Sequence, residues 1–182
     1  MKNFIEAVLN MIKTSVDEEG SPKNPLHVGE VMSCWMYLGG LEEAQAFIKA
    51  GLNTTVDDQL RHALLEDQRL GQSQIEILKD FMIREGIPLP PASETKPDSD
   101  PSLIPNGVKL TDDEIANGLS LKIVALIMNA ATAASQSVRN DVGYLFVKFL
   151  GEKLVLGTNI KTMMMKRGWM KIPPYYNPPG AP

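Results

Sequence analysis

Six prolines fall within the 24 residues IPLPPASETKPDSDPSLIPNGVKL, positions 87–110, and this stretch divides two halves of helical sequence. It has almost no apolar periodicity. A connection of this length is unusual inside a compact domain, so it either follows the length of a bundle or separates two domains. Extended chain covers about 3.3 Å per residue, ample to run beside a helix of about 40 Å. Each half predicts only a pair of long helices, and a lone pair has too little core to stand by itself. The crossover is therefore the favoured reading.

The apolar spacing elsewhere is helical, with no convincing strand alternation. The first long helix is predicted from Asn24 as N-cap, with Pro25 at the first helical position, to about Ala50. The second starts after Thr55, carries Asp57 and Asp58 in its first turn, and ends near Gly86. Thr111 and Glu114 form a capping box for the third. The fourth runs from about Asp141 to Arg167 and stops at Gly168. Asn3 with Glu6 caps a short N-terminal helix whose stripe is Phe4, Ile5, Val8, Leu9 and Ile12. The first long helix has apolar residues on more than one face, including Val28, Met32, Trp35 and Met36, and the short helix is a plausible cover for it. The expected fold is all-α: a ferritin-like four-helix bundle with a long second-to-third crossover and a short extra N-terminal helix. We read one domain over 1–182, with an N-terminal helix and loop at 1–23, the bundle at 24–168 and an extended Pro/Tyr tail at 169–182.

Charge narrows the function. A net charge of −4 and a pI near 5.2 leave no electrostatic footprint for nucleic acid. The basic residues Lys161, Lys166, Arg167 and Lys171 read as a solvated helix end that complements the dipole. The single cysteine, Cys34, cannot form an internal disulfide, which fits a reducing compartment, and it lies in the apolar run VMSCWMYL as a buried structural thiol. The N-terminus has no secretion-signal pattern. No stretch reaches the roughly 18 uncharged apolar residues needed to span a bilayer, so no integral membrane contact is expected.

A ferritin-like bundle raises the question of a di-metal site, which needs carboxylates on facing helices and two Glu-x-x-His steps. Only His27 and His62 are present, neither follows a glutamate by three, and they lie about 25 Å apart along the axis. Glu42, Asp67, Asn129 and Glu152 fall on or beside apolar stripes near mid-height. One reading is a degenerate carboxylate layer able to hold an oxygen-liking cation. The other places them at helix borders, paired with Lys153, Arg69 or water. Three uncompensated inward carboxylates are costly, which favours the second. No phosphate loop, GxSxG, CxxC or HExxH motif occurs. No catalytic residue, metal or cofactor is expected. A small-molecule site in a Met- and Ala-lined core is a third alternative.

The end of the chain, KTMMMKRGWMKIPPYYNPPG, has its own logic. Gly168 is a natural helix stop and Trp169 can fold back on the last turn. The prolines that follow enforce extended chain. The tail either covers the bundle end or offers Trp169, Tyr175 and Tyr176 to another protein.

Four steps in this half carry a family resemblance: Arg139-Asn140-Asp141, Phe149-Leu150-Gly151-Glu152, Gly168-Trp169 and Pro173-Pro174. With the second-helix exit REGIPLPP, they make residues 25–174 resemble an uncharacterised ferritin-like family of spore-forming Firmicutes related to spore coat protein F. The resemblance implies a bundle without established activity. Gln74 stands where relatives often have histidine, which weakens a metal site further. The expected function is a structural or interaction protein of the spore or its coat, made in the cytoplasm. It would associate with itself or with other coat proteins. A metal-binding carboxylate bundle and a small-molecule module are the alternatives.

Overall fold

A computed structural model describes residues 6, 7, 10, 24–91, 94, 96–176 and 179. Four long helices make the bundle: α1 (Val28–Leu52), α2 (Asp58–Arg84), α3 (Asp112–Gln136) and α4 (Asn140–Arg167), with a short 3-10 turn at Pro101–Leu103. No strand occurs among the described residues. The predicted N-terminal helix lies outside the described residues except for Glu6, Ala7 and Asn10, which are helical.

Contacts at the two ends set the topology. Thr55, at the α1–α2 turn, donates to Asp112 Oδ1 at the start of α3 (2.6 Å). Arg167, at the end of α4, pairs with Asp57 at 2.9 Å. At the opposite end, Glu30 of α1 accepts from the N–H groups of Val138 and Arg139 at the α3–α4 turn (2.9 and 2.8 Å). The order is therefore up-down-down-up, and the α2–α3 connection must travel the whole bundle. It does so over α1: Trp35 Nε1 donates to Pro88 O (2.6 Å), Lys49 pairs with Asp98, and Asn53 Nδ2 donates to Pro97 O (2.8 Å). One long crossover is the ferritin-like arrangement.

The helix ends follow from local chemistry, with one correction. α1 starts at Val28, not Pro25, because the capping box belongs to His27. His27 Nδ1 accepts from Gly29 N, and Glu30 Oε2 accepts from His27 N (3.0 and 3.1 Å). Three residues after Asn24 stands His27, which offers no carboxylate to close a box there. α1 also passes through Gly51 to Leu52. The other ends fall close to expectation: Asp57 caps α2, Thr111 and Glu114 form the box of α3, and Gly168 ends α4 in the left-handed region at φ 71°.

α1 and α3 approach closely through small residues. A Cβ on Gly118 would sit 2.5 Å from Phe47 Cζ, and one on Gly40 would sit 3.3 Å from Leu126. Gly40 serves that contact while Gly39 faces open space, and both lie within α1. The interior forms two apolar clusters. One, near the Glu30 end, includes the aromatic trio Tyr37, Phe146 and Phe149, with Tyr37 stacked on Phe149 at 5.4 Å. The other, near the Gly168 end, includes Ile48, Leu64, Ile115, Leu156 and Met164. α3 is long and apolar enough to span a membrane by length and composition, a test that core helices of bundles also pass; only a third of its most apolar stretch is buried.

Candidate functional site

Polar residues lie at mid-height between the two apolar clusters. Asp67 of α2 and Lys153 of α4 are each 1% exposed and meet at 2.5 Å. A buried charge of either sign is tolerated only when paired, and here the pair bridges two helices. The second carboxylate oxygen, Asp67 Oδ2, is buried without a protein hydrogen bond.

A second connection runs beside it. Tyr37 OH donates to Gln74 Oε1 (3.0 Å), and Gln74 Nε2 donates to Glu152 Oε2 (2.8 Å) and to Phe149 O (3.5 Å). Gln74 is fully buried, so its amide orientation is set by a hydroxyl on one side and a carboxylate on the other. Burial raises the Tyr37 pKa, and the Glu152 and Asp67 charges raise it further. The phenol stays protonated and remains the donor.

The four mid-height candidates are thus divided. Asp67 joins Lys153, Glu152 joins Gln74, and Glu42 pairs with Lys79 at 2.6 Å on the α1–α2 side. Asn129 is half-buried on α3, outside this hydrogen-bonded set. Among the described residues no group of three His, Cys, Asp or Glu side chains converges. The donor set does not fit a metal pair, and the positive charge on Asp67 is the ammonium of Lys153. His62 is exposed on α2, and His27 is spent on its cap. Lys153 was expected at a border as a partner and instead lies inside. Tyr37 and Gln74 were not singled out as core polar residues by periodicity.

The Arg139 and Asp141 step has a structural job at the Glu30 end. The guanidinium, 8% exposed, grips both oxygens of Glu85 (2.6 and 2.8 Å) and both of Asp141 (2.7 and 3.0 Å). These hydrogen bonds raise the Arg139 pKa against the effect of burial. Arg139 Nη1 also reaches Asn24 O at 3.4 Å. One side chain thus ties the exit of α2, the entry of α4 and the approach to α1. Nearby Cys34 is fully buried, and burial with the Glu30 charge pushes its thiol up to about 12. It is no nucleophile at neutral pH.

At the other end Trp169 is half-buried against the second cluster. Its N–H donates to Met164 O (3.0 Å), its carbonyl accepts from Asn117 Nδ2 (3.0 Å), and Arg167 lies over its ring at 5.9 Å. Lys171 pairs with Asp113 at 2.7 Å. Beyond these anchors the tail leaves the bundle: Tyr175 is 86% and Tyr176 82% exposed. A groove of about 800 Å³ lies between α1 and α2, lined by charged and amide side chains including Glu42, Gln68, Arg69 and Lys79. It opens to solvent and reaches Ile75 of the first cluster.

Comparison with known proteins returns the same fold. The family model for a protein of unknown function, DUF3231, matches residues 15–181. An uncharacterized protein of Bacillus subtilis strain 168, YvdQ, is 28% identical over 158 residues, covering 86% of this chain and 93% of the relative. A crystal structure named "putative spore coat protein (BH2358)" from Bacillus halodurans C-125 superposes with a TM-score of 0.82 at 28% identity, covering 85% of this chain and 97% of that one. A two-domain protein of Anabaena variabilis with a ferritin-like domain matches at TM-score 0.63 and 14% identity, over 97% of this chain and 52% of that one; this likeness concerns fold alone.

Proposed function

The chain belongs to the DUF3231 family, and from that premise we propose that it is a non-catalytic structural protein of the spore or spore coat. It would be made in the cytoplasm and assemble with copies of itself or with other coat proteins. The relation to spore coat protein F that its fourth-helix motifs imply is part of this reading. So is the likeness to the Bacillus halodurans protein, which is named a "putative spore coat protein".

The observation that carries the proposal is the tail. Trp169 and Lys171 pin its root, while Tyr175 and Tyr176 project into solvent between prolines. A strip held extended by prolines loses little entropy on docking, and tyrosine contributes large contact area through a stiff side chain. The polar residues of the interior are engaged in holding helices together. The test is incorporation during sporulation. A tagged copy should fractionate with purified coats, and the double variant Tyr175→Ala/Tyr176→Ala should stay in the soluble fraction while keeping the wild-type melting temperature. Wild-type protein absent from the coat fraction, or full incorporation of the double variant, would count against the proposal.

A further inference from the structure

Two-thirds of the most apolar stretch of α3 is not buried in the bundle. After Glu114 the only charged residue of this helix is Lys122, which is turned to the Phe47 ring of α1 at 5.3 Å. Leu121, Val124 and Met128 are 71, 48 and 65% exposed, and Ala125, Ala131, Thr132 and Ser135 are exposed beside them. At helical spacing these seven positions share one face about 21 Å long. The face widens onto both neighbours. Gly40 of α1 lies against Leu126, and Gly157 of α4 against Ile123 and Ile127. Both helices run antiparallel to α3. Exposed Met36 and Met32 therefore stand level with about residues 130 and 134, and exposed Leu154 with about residue 128. The six large side chains present about 350 Å² of apolar surface, at about 100 Å² for each fully exposed one. Contiguous apolar patches of that size are often association sites.

We propose that this face is the interface of a two-fold symmetric dimer, in which α3 packs antiparallel on α3 of a second copy about an axis beside Met128. The sizes of the side chains select this partner. Positions 121, 124, 125, 131, 132 and 135 are spaced evenly about 128, so an antiparallel copy sets 121 opposite 135, 124 opposite 132 and 125 opposite 131. Large side chains of the first half then meet small ones of the second: Leu121 meets Ser135, and Val124 meets Thr132. A parallel two-fold would set Leu121 on Leu121 and Ser135 on Ser135, crowding one end and leaving a gap at the other.

Charge and area agree with size. An uncharged face repeats across the axis without repulsion, and antiparallel packing opposes the two helix dipoles. A standard interface buries about 800 Å² per partner, a little over half of it apolar. The six large side chains, with the alanines between them, supply most of that apolar share. An anionic lipid surface fits less well, because interfacial helices carry a strongly basic face and the net charge here is −4. The contact lies on the flank of the bundle, away from the tail at its tip, and it stands whether or not the protein enters a coat.

Two measurements on the full chain test it. Sedimentation equilibrium at micromolar concentration should give a mass approaching twice 20.0 kDa. Met128→Glu and Met128→Lys each set like charges against one another at the axis and should raise the dimer dissociation constant at least about a hundredfold. Both should keep the wild-type melting temperature, since the residue is exposed in the single chain. Mixed in equal amounts, the two variants should associate again, to within about tenfold of wild type. A wild-type monomer throughout the micromolar range overturns the proposal, and so does a dimer that both variants leave intact or a weakened pair that does not recover on mixing. The second measurement needs no charge. In a Cys34→Ala background, Val124→Cys mixed with Thr132→Cys should give a disulfide-linked mixed dimer several-fold faster than either variant gives a like pair under mild oxidation. Equal rates, or faster like pairs, would equally overturn it.

Discussion

The Asp67–Lys153 pair is the feature whose removal has the most calculable effect. At 2.5 Å and an effective dielectric of about 20, the Coulomb attraction is about 7 kcal/mol. Desolvating two ions costs several kcal/mol each, so the intact pair contributes near zero net. Removing one partner is a different matter, because the survivor is 1% exposed and surrounded by the two apolar clusters. Lys153→Met should therefore destabilise by about 3–5 kcal/mol. Near 180 residues, each kcal/mol lowers the melting temperature by about 2–4 °C, which gives a drop of at least 6 °C. The double variant Asp67→Leu/Lys153→Met replaces both ions by apolar groups of similar size and should recover most of the loss, or exceed wild type by about 1–4 kcal/mol. Urea denaturation of wild type, both single variants and the double variant completes the cycle. A loss below about 1 kcal/mol in Lys153→Met would show that water reaches the pair. A double variant as unstable as the single would show that the layer does more than neutralise itself.

Two further outcomes follow from local geometry. Gly168→Ala places a Cβ in open space but on a left-handed residue, so it should cost about 1 kcal/mol by backbone strain alone, read by denaturation; a neutral result would mean that the α4 terminus frays. The thiol of Cys34 rises from 9.0 to about 12 in the fold, so the unfolded chain ionises first and stability falls as pH climbs through that window. At pH 10 the loss is about 1.4 kcal/mol, which a Cys34→Ala variant should lack. Identical pH slopes for the two proteins between pH 9 and 11 would refute the burial argument.

How much of this could be read from residues alone depends on which signal was strong. The Thr111 and Glu114 box, the Gly168 stop and the proline-rich crossover are short-range features with one physical solution each, and they fell where expected. The start of α1 did not, because histidine is a rare cap and its competitor Asn24-Pro25 is a common one. The interior polar layer was missed by a phase error. With Val142, Leu145, Phe149, Leu156, Ile160 and Met163 taken from the sequence as the α4 stripe, the mean apolar direction lies about 50° from both Glu152 and Lys153 at 100° per residue. The buried set instead includes Phe146 and Met164, which moves that direction to about 25° from Lys153 and about 75° from Glu152. Phe146 and the burial of Met164 in place of Met163 together turn Lys153 inward and Glu152 toward the border. Gln74 was noted only through resemblance, since a buried amide on a helix stripe has no periodic signature of its own.

The up-down-down-up order also fixes where the two chain ends leave the bundle. α1 begins at the Arg139 pole and α4 ends at the Asp57 pole, and the 28 residues of α4 separate them by about 42 Å. The protein is a strut with two chemically different tips. If, as proposed, the tail docks on a different pole of a neighbouring copy, the joint is heterologous and leaves a tyrosine tip free on the next copy. Such joints close into rings where the rotation between copies allows it and otherwise extend as filaments, whereas tails exchanged between like poles would give closed pairs. Under that proposal the direction of one connection in the chain sets which ends of two copies can be joined.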